Sequence, residues 1–480
     1  MNLANEQIRG FTAKILKSVR KHLPILLLVI AVVILRILYL SPYLEDWDSA
    51  QFALAMHHFS LISELPHAPG YPIYILLGNF LKIFFLSDNL SLTMFSAITG
   101  AATVLIVYLL AQKMFNKLIA FGAATIFAFI PVAWSLSEQA LTNVPGLFFL
   151  SLLSFLLYKF VDNQKIIILI SFLFGLLLGL RFTELPIIMA ILLLTFIRQR
   201  NLKLVFFSFL SFIVGIFFWL GPLIMVTGWT DFIKAYFKIA SYIFNHDSLL
   251  GGNHYGFYLI RLRLNDLFYI LKIAYGLIFI LISTAALVSI ILQKKLIQEF
   301  RIQFLLVWFL AYLIPLVFFF NLEVTRYTLP LTVPLAILTA VFLNRFITNK
   351  LFYSTIIFII CIILFKNSYY QVNQFKNSLP PIIAPVLFVK NGFNPQETLI
   401  IPTLLKRHFQ YYAPQFPLID MDKINYSTIS SKFVIIDHLS TIDQIPNLKN
   451  YNVKEKKEFF ADKEIFNRVS STTIYILERK

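Results

Sequence analysis

Charge is what this 480-residue sequence has least of: 14% of its residues are Asp, Glu, Lys or Arg, while 59% are hydrophobic. A soluble domain carries roughly a quarter charged residues, so the scarcity excludes an ordinary water-soluble protein and makes lipid the main solvent. A mean hydropathy of +0.77 agrees. Acids are scarcer than bases, 24 against 41, for a formal net charge of +17. In a soluble chain that excess would indicate nucleic acid. Here Lys and Arg cluster in short segments between apolar runs, where they act as topology signals, so no nucleic-acid partner is expected. The single cysteine, Cys361, lies inside an apolar run. Neither an intrachain disulfide nor a thiolate metal cluster can form. His-Glu-x-x-His, a phosphate-binding P-loop, paired Cys-x-x-Cys and Gly-x-Ser-x-Gly are missing too, which leaves zinc, ATP and serine hydrolysis without support.

What the chain has is long apolar runs. A helix needs about 20 apolar residues to cross the hydrocarbon core. Candidate spans lie at 24–40, 91–111, 118–134, 144–160, 166–182, 184–197, 204–226, 267–292, 302–320, 328–347 and 351–365. The expected fold is mainly α, a membrane bundle of about eleven helices ahead of a small C-terminal α/β domain. Lys14, Lys17, Arg20 and Lys21 precede the first run like a signal peptide. No small-residue cleavage site follows and Arg36 interrupts the run, so it is read as a retained helix behind a cytoplasmic segment, 1–23.

Orientation decides the status of one further run, 71–86. If it does not cross and the N-terminus is cytoplasmic, then Lys113/Lys117, Lys159/Lys165, Arg198/Arg200/Lys203, Lys294/Lys295/Arg301 and Arg345/Lys350 all face the cytoplasm. Most acids, Glu45, Asp46, Asp48, Glu64, Glu138, Asp231, Asp247 and Glu323 among them, then fall outside. The run 71–86 is therefore read as an amphipathic or re-entrant segment of a first outer region, 41–90. The membrane domain is expected over 24–365. From 366 to 480 Asn, Lys, Gln and Pro rise and no span remains, which predicts a soluble extracytoplasmic domain with strands near 398–401 and 432–437 and turn and helix signals over 441–470.

Five outer windows carry candidate chemistry. Asp46 and Asp48 follow the first span, with Asp48 near the cap of a helix starting at Ser49; a carboxylate at the membrane boundary can serve as a general base, or simply cap. His67 sits in a rigid turn, PHAPGYP at 66–72, which can touch a polar ligand or merely connect. Glu138 is the one charge of a short loop, SLSEQALTN at 135–143, and a solvated acid is the plainer reading. Arg181 and Glu184 lie at a span boundary and can pair with each other, and an Arg fork suits phosphate. Glu323 and Arg326 stand at i and i+3, followed by Tyr327; an anion-binding Arg competes here with a snorkelling one.

In order along the chain these windows resemble the GT-C superfamily of membrane glycosyltransferases, with the protein O-mannosyltransferases of glycosyltransferase family 39 and the aminoarabinose transferase type nearest. WDSAQF at 47–52 is similar to the family's Trp-Asp-Glu-x-His-Phe pattern. HAPGYP at 67–72 stands where the family has a His-Pro-Pro turn, a Ser-Glu loop precedes the fourth span, and RYTLP at 326–330 matches Arg-Tyr-x-x-Pro. The resemblance implies a plasma-membrane transferase that takes a sugar from a polyprenyl-phosphate donor to a protein, lipid or polysaccharide hydroxyl. It implies Asp48 as catalytic base, with Asp46 in place of the family's neighbouring acid; the leaving phosphate needs its charge held, a task for Arg326 or Arg181, and His67, Glu138, Glu323 and Tyr327 are the substrate-site candidates. Ser49 and Gln51 replace the family's Glu and His and Ala68 displaces its second Pro, which leaves a divalent metal and the acceptor class open. A secondary transporter and a non-catalytic envelope scaffold are the rival readings.

Overall fold

The computed structural model describes residues 22–251, 257–420, 429–437, 448, 450–466 and 469–480. The basic cluster Lys14 to Lys21, and with it nearly all of the segment 1–23, lies outside the described residues. Helix α1 (His22–Leu38) leads into the region 41–90, where α2 (Trp47–Ala55) and α3 (Pro72–Phe85) lie. The bundle continues through α4 (Asp88–Met114), α5 (Lys117–Phe129), the short α6 (Pro131–Ser135), α7 (Asn143–Lys159), α8 (Gln164–Leu177), α9 (Leu185–Gln199) and α10 (Leu202–Thr227). After α11 (Trp229–Tyr242) come α12 (Phe257–Tyr275), α13 (Leu277–Ile291), the single turn α14 (Lys294–Ile297), α15 (Phe300–Phe319), α16 (Thr332–Phe346) and α17 (Lys350–Asn377).

Four helices of the bundle start on asparagine. Asn116, Asn163, Asn201 and Asn349 each accept backbone N–H bonds of the first turn of α5, α8, α10 and α17. Each cap has a lysine close behind it, at 117, 165, 203 and 350. A cation at a helix N-terminus opposes the macrodipole. These lysines therefore do not stabilise their helices through the dipole.

The chain is a multi-pass membrane protein. Among the described residues six helices are long and apolar enough to cross a membrane, or eight if two bent pairs each count as one span. The pair α5–α6 is bent by 67° at Pro131, where an N–H is lost and the ring crowds the preceding turn. The pair α12–α13 is bent by 112° at Gly276, which takes φ +76. The expected run 267–292 is thus two helices at an angle rather than one. Helices α1, α7 and α8 coincide with three more expected runs but have 17, 17 and 14 residues. Length alone carries the count to eight, not to eleven.

Helices α8 and α10 cross backbone to backbone. A Cβ on Gly175 would lie 2.2 Å from Phe212 O, and one on Gly215 would lie 2.1 Å from Phe172 O. Trp219 Nε1 then donates to Gly175 O at 3.0 Å. Small residues at such a crossing let apolar helices associate where lipid provides no hydrophobic drive. Gly175→Leu is expected to force the pair apart and lower the melting midpoint of the detergent-solubilised protein by at least the shift of an overpacked core, about 1–3 kcal/mol. Gly221→Ala, where nothing lies within 4 Å, is the control and should leave the midpoint level or raised.

Helix α17 runs through residue 365 without a break, so the polar residues up to Asn377 are its last turns. Beyond it stand α18 (Ala384–Gly392), β1 (Thr398–Ile401), α19 (Lys406–Tyr412), β2 (Phe433–Ile436), β3 (Tyr451–Phe460) and β4 (Ser471–Arg479). The sheet order is β1-β2-β4-β3, with β1 and β2 parallel and β4 antiparallel to both its neighbours. Ile382, Val386, Ile400, Phe409, Ile435 and Ile476 form its main core. The first two strands lie where the sequence puts them. The third replaces part of the expected turn and helix region, of which 441–447, 449, 467 and 468 lie outside the described residues. Its KEKKE run hides the alternation, because both faces of that edge strand are largely exposed.

Candidate functional site

The first outer region, the ends of several bundle helices, α11 and the C-terminal domain enclose a cavity of about 1220 Å³. Asp46, Asp48, His67, Arg181, Arg326 and Tyr327 all line it. They come from four separate stretches of chain.

The acids are fixed by a helix start. Asp46, not Asp48, is the N-cap of α2. Its carboxylate accepts the Asp48 N–H at 2.8 Å, while its own N–H donates to Ser49 Oγ at 3.1 Å. This reciprocal cap works because Ser49 stands at the third helical position, the place where the resembling family carries its own residue. Asp48 then projects from the first turn. Arg326 closes the pair: its Nη1 lies 2.8 Å from Asp46 Oδ2 and its Nη2 2.5 Å from Asp48 Oδ2. One planar fork thus holds two carboxylates, which no lysine can match. The side chains are 7%, 15% and 17% exposed for Arg326, Asp46 and Asp48, so the triad is partly desolvated yet open to the cavity.

A 3-10 turn, Thr325–Leu331, presents Arg326, and Asn143 Nδ2 donates to its carbonyl at 3.3 Å. On the other side His67 Nδ1 lies 2.7 Å from Gln51 Oε1 and 3.8 Å from Asp48 Oδ1. An amide oxygen only accepts, so Nδ1 carries the proton and Nε2 takes the Tyr71 hydroxyl at 3.1 Å. Burial, reinforced by Asp48, pushes the Tyr71 phenol above its ordinary value. Arg181 is 5% exposed; its Nε lies 3.2 Å from Glu184 Oε1 and its Nη1 donates to Thr142 Oγ1 at 2.9 Å.

Two expected site residues stand elsewhere. Glu138 is fully buried, accepts Trp134 Nε1 at 2.5 Å and does not line the cavity. It is no solvated loop acid: the guanidinium of Arg36 stacks 4.8 Å over the same indole, a cation reaching it from α1. Glu323 is exposed and outside the cavity lining. It does not pair with Arg326, whose fork is spent on the first-loop acids across 278 and 280 residues of chain.

Several cavity residues escape sequence reasoning. Gln51 counts there only as a departure from a motif, and Tyr71, Thr142 and Asn143 look like ordinary boundary residues. Glu45 was legible only as one outer acid among several. Ser41 Oγ donates to its Oε2, while Oε1 is buried without a hydrogen bond. Burial pushes Glu45 up to about 8, with the Ser41 bond opposing and Asp46 adding to the shift. The unfolded value is about 4.3. Between about 4.3 and 8 the folded chain holds a proton that the unfolded chain has released, so stability falls as pH rises through that window and levels off above it, at no more than about 1.4 kcal/mol per pH unit. Glu45→Gln should flatten the melting midpoint between pH 5 and about 8, measured against the native chain by thermal unfolding.

The donor set does not fit a resident metal. Among the described residues no group of three His, Cys, Asp or Glu is placed to hold a metal ion, and Asp46 and Asp48 pair with Arg326.

Comparison with known proteins gives one family model and several folds. Residues 48–204 match the model of the protein O-mannosyl-transferase TMEM260 N-terminal domain. No curated protein matches the sequence. The crystal structure of ArnT from Cupriavidus metallidurans bound to undecaprenyl phosphate superposes with a TM-score of 0.61 at 10% identity, covering 94% of this chain and 97% of that one. The archaeal oligosaccharyltransferase AglB from Archaeoglobus fulgidus, in complex with an inhibitory peptide and a dolichol-phosphate, gives 0.53 at 12% identity over 87% of this chain and 70% of that one. At such identities the likeness is one of architecture, and it runs nearly end to end with ArnT. The chain has the fold of the GT-C membrane glycosyltransferases.

Proposed function

We propose that this chain is a membrane glycosyltransferase that moves a sugar from a polyprenyl-phosphate donor to a hydroxyl acceptor at the extracytoplasmic face, with inversion. The observation that carries the reading is the Asp46–Arg326–Asp48 triad on the wall of a large cavity between the bundle and the C-terminal domain. Lipid-bound relatives in fold support the donor class: one holds undecaprenyl phosphate, another a dolichol-phosphate beside a peptide. A structure of the same Archaeoglobus fulgidus oligosaccharyltransferase tethered with an acceptor peptide favours a protein acceptor in general terms.

The chemistry needs little. An acceptor hydroxyl attacks the anomeric carbon while Asp48 takes its proton. The bond from that carbon to the phosphate oxygen breaks, and polyprenyl phosphate leaves with both electrons. Attack opposite the leaving oxygen inverts the centre. The phosphate is a weak base and needs its charge held rather than a proton, and Arg326 and Arg181 both stand on the cavity wall. Before donor arrives, Arg326 holds and aims Asp48; an incoming phosphate shares its fork. His67 and Tyr327 face the same space and bind substrate hydroxyls. Glu138, with Arg36 and Trp134, supports the wall from behind.

The N-terminus lies in the cytoplasm and the C-terminal domain outside, in a plasma membrane crossed about eleven times, on the positive-inside rule. Helix α3 stays on the outer surface, because a crossing there would turn every later basic cluster outward, against the positive-inside rule. The soluble extracytoplasmic domain follows the bundle once α17 ends at Asn377, later than the 366 read from the sequence. Mass spectrometry of envelope glycans tests the reading. A sugar modification should vanish when the chain is deleted and return with the native chain but not with Asp48→Asn. Unchanged glycans, with uptake of solute by vesicles instead, would favour a transporter.

A further inference from the structure

The C-terminal domain grips the acidic loop through one short helix. On α19, Arg407, His408, Tyr411 and Tyr412 stand at i, i+1, i+4 and i+5, a spacing that places them along one face. His408 Nε2 donates to the Leu44 carbonyl at 3.0 Å, and the Leu44 N–H donates to Tyr412 Oη at 2.8 Å. Both backbone polar groups of the residue two before Asp46 are thus satisfied from a helix more than 360 residues away. Tyr411 Oη donates to Asp88 Oδ2 at 3.1 Å, at the start of α4.

Arg407 makes the fourth contact and is buried, at 3% exposure. Its Nη2 donates to the Ser63 carbonyl at 2.6 Å and lies 3.5 Å from Glu64 Oε2. Its guanidinium also sits 5.8 Å from the ring of Trp47, the residue between the two site acids. Glu64 takes φ +55, in the left-handed region, inside a turn closed by two bonds between Ser60 and Leu65. Its other oxygen lies 2.7 Å from Lys238 Nζ on α11. One carboxylate therefore ties together the first loop, α11 and the C-terminal domain. A loop with little regular structure pays backbone entropy for every fixed residue, and these contacts offset it.

We infer that α19 is a brace for the acidic loop and that Arg407 is a positioning residue, setting Asp46 and Asp48 against Arg326 through Trp47, Ser63 and Glu64. The functional half of this inference rests on the glycosyltransferase reading; the mechanical half does not. It gives the C-terminal domain a part in the transfer step besides any hold on an acceptor.

Hydrogen exchange on the full chain in detergent, read beside transfer kinetics, tests it. In Arg407→Met, amides over 41–65 should exchange about tenfold faster or more while β1, β2 and β4 keep their protection. Turnover should fall by about 100-fold, as for a misplaced reacting group, with the donor KM held within about threefold. Arg407→Lys, which keeps the charge facing Glu64 but loses the fork, should fall between. If Arg407→Met does not fold, Glu64→Gln decides, by faster exchange confined to 60–65. Native-like exchange over the loop in the folded variant, or loosening spread evenly through the C-terminal strands, would overturn the brace. Should Asp48→Asn retain transfer while Arg407→Met still loosens the loop, the glycosyltransferase reading fails and the brace stands.

Discussion

Asp48→Asn is expected to lower turnover by about 10²- to 10⁴-fold, the usual contribution of a general base, while donor binding and the melting midpoint stay close to native. Asparagine keeps the shape of the side chain and its carbonyl still accepts a bond from Arg326. The fork also keeps Asp46, at 2.8 Å, so the loop stays anchored. What is lost is the ability to take a proton from a hydroxyl. Binding of a labelled polyprenyl-phosphate sugar to the purified variant, next to its transfer rate, separates the two effects. Weakened binding with an unchanged rate for bound donor would make Asp48 a substrate ligand rather than the base.

The second large effect belongs to Arg326. Removing it as Arg326→Ala leaves two partly buried carboxylates facing each other without a cation. Breaking such a pair costs about 3–5 kcal/mol, because the charges left behind are uncompensated. Asp48 would also lose the fork that aims it, at 2.5 Å. Stability and transfer should both collapse. Arg326→Lys restores charge without the two-pronged geometry and should recover stability more than rate. A double variant, Asp46→Asn with Arg326→Ala, removes one of the repelling charges; thermal unfolding should show it more stable than Arg326→Ala alone, a coupling that a double-mutant cycle measures. Transfer should stay lost. Equal stability of the single and double variants would mean that the fork does not bind both acids at once.

Much of the fold can be read from apolar runs, because lipid leaves the chain only helices to cross with. The limits are local. Pro131 and Gly276 show in the sequence as possible interruptions, yet hydropathy averages across them, and the structure bends by 67° and 112° there. Strands β1 and β2 are legible because they are largely buried and, but for Thr398, apolar. Strand β3 is not, since an exposed edge rich in Lys and Glu has no pattern to detect.

The site shows the same division. Asp48 and Arg326 are 278 residues apart, and nothing local to either predicts that they meet. Motif order along the chain, matched to a known architecture, brought them into one hypothesis. Where only local spacing was used, it misled: Glu323 stands three residues from Arg326 but points away, while Glu138 looks like a loop acid and is sealed in the bundle with Arg36. Arg407 left no signal at all, because KRHFQYY reads as any basic surface helix until its partners at 44, 63, 64 and 88 are seen.

The central claim is that the carboxylate of Asp48 drives sugar transfer from a lipid phosphate, and one reconstituted assay addresses it directly. Purified chain in lipid nanodiscs would receive a polyprenyl-phosphate sugar and a hydroxyl acceptor, and mass spectrometry would follow both products. Native chain should release free polyprenyl phosphate and glycosylated acceptor in equal amounts, and Asp48→Asn should release both about 10²- to 10⁴-fold more slowly. Release at the native rate by that variant, or a donor left intact by native chain across all acceptor classes, would contradict it.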